Sequence, residues 1–163
     1  MKKLGCFLVV AVGVILAVCI CRSDSLSLEE QIARQQKIQS DKVEIVQAPL
    51  VLRSKTLVGF IDGEGEPGVA LFSKEENQEL LEVYRDFFSR VPRVWSTYIV
   101  LDGILYLVIL SDNTELASVQ WKTGKDGIWE RIVLSPEPTM IYLPLDANGE
   151  TLYLLCDSNG DEL

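Results

Sequence analysis

Histidine is absent from the 163 residues of this chain. That absence excludes Ser-His-Asp and Cys-His nucleophile pairs, the H-E-x-x-H zinc helix, and any side chain whose ordinary pKa lies near neutrality. Cysteine is scarce as well: Cys6, Cys19 and Cys21 fall within the first 21 residues and Cys156 stands alone beyond them, so the body carries no internal disulfide framework. Acidic residues are missing from residues 1–22, where the only charged side chains are Lys2, Lys3 and Arg22. Nor does the chain hold an S-x-x-K, G-x-S-x-G or P-loop string. Carboxylate, lysine, hydroxyl or lone-thiol chemistry remains, and no motif singles any of these out.

What is present divides at Arg22. Residues 4–21 are an unbroken run of apolar, glycine and cysteine residues. As a helix these 18 residues reach about 27 Å at roughly 1.5 Å per residue, close to the hydrocarbon thickness of about 30 Å. Residues 1–22 are therefore expected to be a signal-anchor or a signal peptide. The stretch Leu16-Ala17-Val18-Cys19 resembles the bacterial lipobox, which makes Cys19 a candidate lipidation site, although Val18 stands where that pattern has a small residue. Uncleaved anchor, lipoprotein and cleaved signal stay open as readings, and all three export the rest of the chain. Two lysines before the run against Arg22 after it place the N-terminus inside and residues 23–163 outside the cytoplasmic membrane, periplasmic or at the cell surface.

Beyond Arg22 lie twelve Lys and Arg against all 24 Asp and Glu, a net charge of −12 for residues 23–163. So acidic a body repels phosphates, which disfavours nucleic-acid partners and leaves membrane attachment to the N-terminal segment. Ser27-Leu28-Glu29-Glu30 has capping-box spacing, and the weak apolar stripe after it reads as a polar stalk helix within residues 23–42. Residues 43–163 then form an extracytoplasmic α+β domain. Residues 43–47 and 56–62 have strand character, and Ser73-Lys74-Glu75-Glu76 opens a second helix expected to run to Pro92, with Leu80, Leu81, Tyr84, Phe87, Phe88 and Val91 as its apolar face.

From residue 97 onward the period changes. Strands over residues 97–101, 104–110, 115–121, 128–134, 139–143 and 151–156 are separated by Asp102-Gly103, Asp112-Asn113, a Gly-Lys-Asp-Gly turn, two prolines and Asn148-Gly149. Short connections imply an antiparallel meander of about six strands, curved around the second helix as a barrel-like or sandwich-like shape. The run Ile-Leu-Tyr-Leu-Val-Ile-Leu at 104–110 is apolar on both faces, so this strand must be central and covered on both sides. Residues 146–150 and 157–161 form a short repeat, each with Asp at its first position and Asn-Gly at its third and fourth. Cys156, inside the apolar run 152–156, reads as a small core hydrophobe.

The segment Asp62-Gly63-Glu64-Gly65-Glu66 places three acids at alternate positions, which makes Asp62, Glu64 and Glu66 candidate oxygen ligands for a cation such as Ca²⁺. An EF-hand loop would need Gly sixth and Glu twelfth, and Pro67 and Ser73 stand there instead. Trp95, Trp121, Trp129, Tyr98, Tyr106, Tyr142 and Tyr153 offer either an aromatic recognition surface or cross-strand packing. The sequence thus points to a membrane-tethered, non-catalytic binding module with a protein or envelope partner and no cofactor. The alternatives are a small exported carboxylate-dependent hydrolase and an envelope assembly subunit.

Overall fold

The computed structural model describes residues 26–52, 54–73, 78–145 and 150–163. The N-terminal segment with Cys19, residues 74–77 and the first Asn-Gly repeat lie outside the described residues. Among the described residues are one α-helix, a short 3-10 turn and eleven strands, so the body is α+β and rich in antiparallel sheet. No helix among them is long and apolar enough to cross a membrane.

The helix, α1 (Leu28–Gln36), begins with the expected capping box. The Glu30 amide donates to Ser27 Oγ at 3.2 Å, and the Ser27 amide donates to Glu30 Oε2 at 2.8 Å. It is no free-standing stalk. Ile32 and Ala33 are buried with Val58, Phe60, Ala70 and Phe72, so one sparse stripe suffices to dock the helix on a sheet. Gln31 fastens it further, accepting from the Leu80 amide at 3.0 Å and donating to the Gln78 carbonyl at 3.2 Å.

That sheet, sheet A, is a meander of β1 (Glu44–Val51), β2 (Lys55–Ile61), β3 (Pro67–Ser73) and β4 (Leu80–Tyr84). Sheet B joins β5 (Phe88–Val91), β6 (Val94–Leu101) and β7 (Ile104–Ser111) to β10 (Thr139–Pro144), in the order β10-β7-β6-β5. Sheet C places β8 (Ser118–Thr123) between β9 (Glu130–Val133) and β11 (Thr151–Cys156). Every pairing is antiparallel.

Three cores stack these elements into layers. Leu57, Ile61, Val69 and Leu71 of sheet A meet Ile99, Leu101, Val108 and Leu110 of sheet B. On the other side of sheet B, Leu107, Ile109, Ile141 and Leu143 meet Val119 and Leu155 of sheet C. The order is therefore α1, sheet A, sheet B, sheet C. Because successive strand residues point to opposite faces, β7 sends Val108 and Leu110 one way and Leu107 and Ile109 the other. This is the two-sided cover that its apolar sequence demands. Sheets A and B come close at Gly59, where a Cβ would stand 2.6 Å from Leu110 Cδ2.

Two further expectations are corrected. The helix expected from residue 73 to Pro92 is absent in its described part, residues 78–91, which folds as β4, a corner and β5. Its apolar residues do not share one face: Leu80 and Val83 pack toward α1, Tyr84 and Phe87 into the core between sheets A and B, and Phe88 and Val91 into the core between B and C. Pro92 and Arg93 make a two-residue turn between Val91 and Val94, with Arg93 at a positive φ of 59°. The simple meander of about six strands is also replaced. All six expected strands are present, but β10 leaves its neighbours to pair with β7 while β11 returns to β8, so the chain crosses between sheets B and C three times. The Asp102-Gly103 turn has the paired positive φ values, 51° and 80°, of the type I′ hairpin.

Candidate functional site

The acidic segment is a turn between β2 and β3, and its geometry accounts for Asp62. The Asp62 amide donates to the Glu66 carbonyl at 3.0 Å, and the Gly65 amide donates to the Asp62 carbonyl at 2.9 Å. Asp62 Oδ1 accepts from the Glu64 and Glu66 amides at 2.9 and 3.0 Å, and Oδ2 accepts from Arg85 at 3.1 Å. Burial alone would raise this carboxyl, but the two amide donors and the Arg85 guanidinium outweigh burial and hold it below the usual carboxylate range. Asp62 therefore commits Oδ1 to the turn and Oδ2 to Arg85. Asp62, Glu64 and Glu66 are not gathered around a common point, and no cluster of three potential ligands able to hold a metal ion occurs among the described residues.

The same turn recurs at Asp157. Its Oδ1 accepts from the Asn159 and Asp161 amides at 2.8 and 2.9 Å, its amide donates to the Asp161 carbonyl at 2.9 Å, and Gly160 takes a φ of 91° where Gly65 takes 82°. The Asp161 amide is the main influence holding the Asp157 carboxyl low. The relation between 62–66 and 157–161 is hard to see in sequence, because only Asp first and Gly fourth are shared. That pair is the signal: Asp supplies the acceptor for two amides, and Gly alone adopts the left-handed position without strain.

Arg85 is the residue that sequence reasoning missed. It donates to Gln36 Oε1 at 3.3 Å, to Asp62, and to the Glu66 and Pro67 carbonyls at 3.3 and 3.1 Å. Its guanidinium carbon also lies 4.7 Å from the centre of the Phe60 ring. From the corner after β4, one side chain thus joins the end of α1, the acidic turn and the start of β3. No local pattern marks it, because all its partners are distant in sequence.

Cys156 is buried, with the Gln120 amide group donating to its sulfur at 3.4 Å, in keeping with a core role. The aromatic residues do not form one platform. Trp95 and Tyr106 pack at the core between sheets A and B, and Trp121 and Tyr153 at the core between B and C. Trp129 lies under the Lys122 ammonium at 5.2 Å, while the exposed Tyr98 and Tyr142 point to opposite faces of sheet B.

A different surface emerges from the layer sizes. Sheet C has three strands and sheet B four, so sheet C leaves part of its neighbour's face bare. On that part lie Tyr98, 53% exposed, Val100, 65%, and Leu105, 38%. Val100 is the cross-strand partner of Leu105, and the Tyr98 ring stacks on Phe88 with centroids 5.7 Å apart. The strip is continuous with Leu107 of the buried core. It offers mainly apolar contact, with the Tyr98 phenol as its one polar group, which suits recognition. Set against protein-family models, curated proteins and solved structures, the chain matches none of them.

Proposed function

We propose that this chain is a membrane-tethered extracytoplasmic binding module without catalytic activity, held by its N-terminal apolar segment and engaging a protein or other envelope component. The observation that carries the reading is the bare strip of Tyr98, Val100 and Leu105 on a body otherwise strongly acidic. Apolar side chains at adjacent cross-strand positions are seldom left in water unless a contact covers them. Asp62, the acid that a carboxylate hydrolase would recruit, is committed to its turn and to Arg85. That competing reading therefore finds no support in the acidic loop.

The test is photo-crosslinking of the full chain in intact cells. A benzophenone amino acid at position 100 is expected to yield a discrete heavier adduct that disappears when Leu105→Lys is added. The same probe at the exposed Gln35 on α1 is expected to yield none. A purely monomeric species from position 100, or equal labelling from both positions, would sink the proposal.

A further inference from the structure

Sheet A has two ends, and the chain enters the body at one of them. Val51, Thr56, Phe72 and Leu80 form one cross-strand row over β1, β2, β3 and β4. Gln31 is bound at that row by the Leu80 amide and the Gln78 carbonyl, and it also donates to the carbonyl of Leu26, the first described residue, at 3.1 Å. One residue beyond the row, Lys55 Nζ lies 3.9 Å from Asp102 Oδ1 at the tip of the β6–β7 hairpin. Leu26, the β1–β2 turn and the hairpin tip therefore share one end of the body. The acidic turn lies at the other, because Asp62 follows the far end of β2, about 23 Å from Lys55 at roughly 3.3 Å per residue. α1 runs in the same direction, since Gln36 accepts from Arg85, which reaches Asp62.

The end where the chain enters carries exposed apolar side chains: Val51 is 54% exposed, Ile104 45% and Leu26 41%. Between the β1–β2 turn and the hairpin lies an open cavity of about 440 Å³, lined by Leu52, Ser54, Leu101, Asp102, Ile104 and Tyr106. Ile104 and Tyr106 alternate with Leu105 along β7, so they face away from the Tyr98 strip. The chain that precedes this end limits what can meet it. Arg22 closes the apolar run and Leu26 stands four residues on, a reach of at most about 14 Å at roughly 3.5 Å per residue. A small domain is about 30 Å across, so a tether of that reach leaves no room for a folded protein between this end and a bilayer holding residues 4–21.

We propose that this end of the body rests on the lipid surface, with Leu26, Val51 and Ile104 sunk into the headgroup region and the acidic turn pointing away from the membrane. The inference rests on the membrane tether proposed above, and it leaves the Tyr98 strip free for its own partner. A body of net charge −12 gains nothing from anionic headgroups, so the contact is one of apolar side chains with zwitterionic lipid. Three side chains are a weak anchor in isolation. Joined to a tether that already confines this end to the bilayer surface, they need only fix the direction in which the body stands.

The test uses the full chain, isotopically labelled at isoleucine methyls, with phosphatidylcholine. Flotation with vesicles after alkaline extraction reads the tether alone, and the chain should stay with the lipid. In nanodiscs of the same lipid, Ile104 should show nuclear Overhauser contacts to acyl-chain protons and be shielded from a water-soluble relaxation agent. Ile38, which shares a cavity wall with Asp62 and Glu64 at the other end, should show no lipid contact. Leu26→Glu combined with Val51→Glu should abolish the Ile104 contacts without releasing the chain from vesicles. High salt should leave those contacts unchanged, because apolar contact is not screened. A chain that floats while Ile104 lacks lipid contact, or stays open to the agent as an end left for a protein would, overturns this inference and leaves the tether standing. So do contacts that survive the double substitution. A chain that fails to float removes the tether and this inference together.

Discussion

Gly68→Ala is expected to lower the unfolding free energy by about 3 kcal/mol, the upper end of what overpacking a core costs. Phe60 and Gly68 face each other directly across β2 and β3, and a Cβ at position 68 would fall inside the van der Waals envelope of Phe60 Cζ, Cε1 and Cε2. The ring has no room to retreat. Phe60 is fully buried, and the Arg85 guanidinium lies 4.7 Å from the ring centre. Any shift of the ring therefore also disturbs the hydrogen bonds that Arg85 makes. The mechanism is separable from a general intolerance at position 68. In a Phe60→Leu background, where the clashing ring is gone, Gly68→Ala should cost under about 1 kcal/mol, and chemical denaturation of the four proteins of the cycle measures the difference. Additive effects would show that the ring is not the obstacle.

The second large effect is expected from Arg85→Leu, at about 2–3 kcal/mol near neutral pH. The substitution keeps part of the apolar bulk but strands the Asp62 carboxylate and the Glu66 and Pro67 carbonyls, which would have to find other donors. Arg85→Lys should recover little, because one ammonium cannot reproduce the planar fork that serves Gln36, Asp62 and two carbonyls at once. The pH dependence follows from Asp62. Its folded pKa is held below its unfolded value of about 3.9, so its contribution is fully present above that value and is lost as pH falls through the folded pKa. Removing Arg85 takes away two of the influences that lower the folded pKa and leaves the amide donors of Glu64 and Glu66. The stability gap between the unaltered chain and Arg85→Leu should therefore be widest at neutral pH and narrow as pH falls below about 4. A gap that stays constant through acid would mean that Arg85 acts through packing and the carbonyls alone.

How far this fold is legible in the sequence depends on whether the deciding contacts are local. The β6–β7 hairpin is legible because Asp102-Gly103 sets its own turn geometry, and the double-sided apolar run of β7 announces a strand covered on both faces. The capping box of α1 is equally local. Residues 78–91 mislead because their apolar side chains fall three and four apart, as in a helix, while the folded chain deals them out to three separate cores. β3 is masked by its own start, Pro67-Gly68, whose glycine is explained only by a Phe60 ring on another strand. No local pattern says that β10 should abandon β9 for β7, since the choice of strand partner rests on distant residues.

The candidate site shows the same division. Asp62 was visible as part of an acidic loop, and its hydrogen bonds to Glu64 and Glu66 follow from the turn itself. Arg85, which decides what Asp62 can do, lies 23 residues away and carries no motif. The bare strip is invisible in sequence for a related reason: Val100 and Leu105 belong to strands that read as core, and only the smaller size of sheet C leaves them in solvent.

The bare strip depends on sheet B being the inner layer, with sheet A on one side and sheet C on the other. Methyl–methyl nuclear Overhauser contacts from two adjacent residues of β7 test that arrangement most directly. Val108 should show contacts to methyls of Leu57 and Leu71 in sheet A, and Ile109 to methyls of Val119 and Leu155 in sheet C. Contacts from both residues to the same sheet, or a solvent-exposed methyl at either position, would contradict the layered fold and with it the origin of the strip.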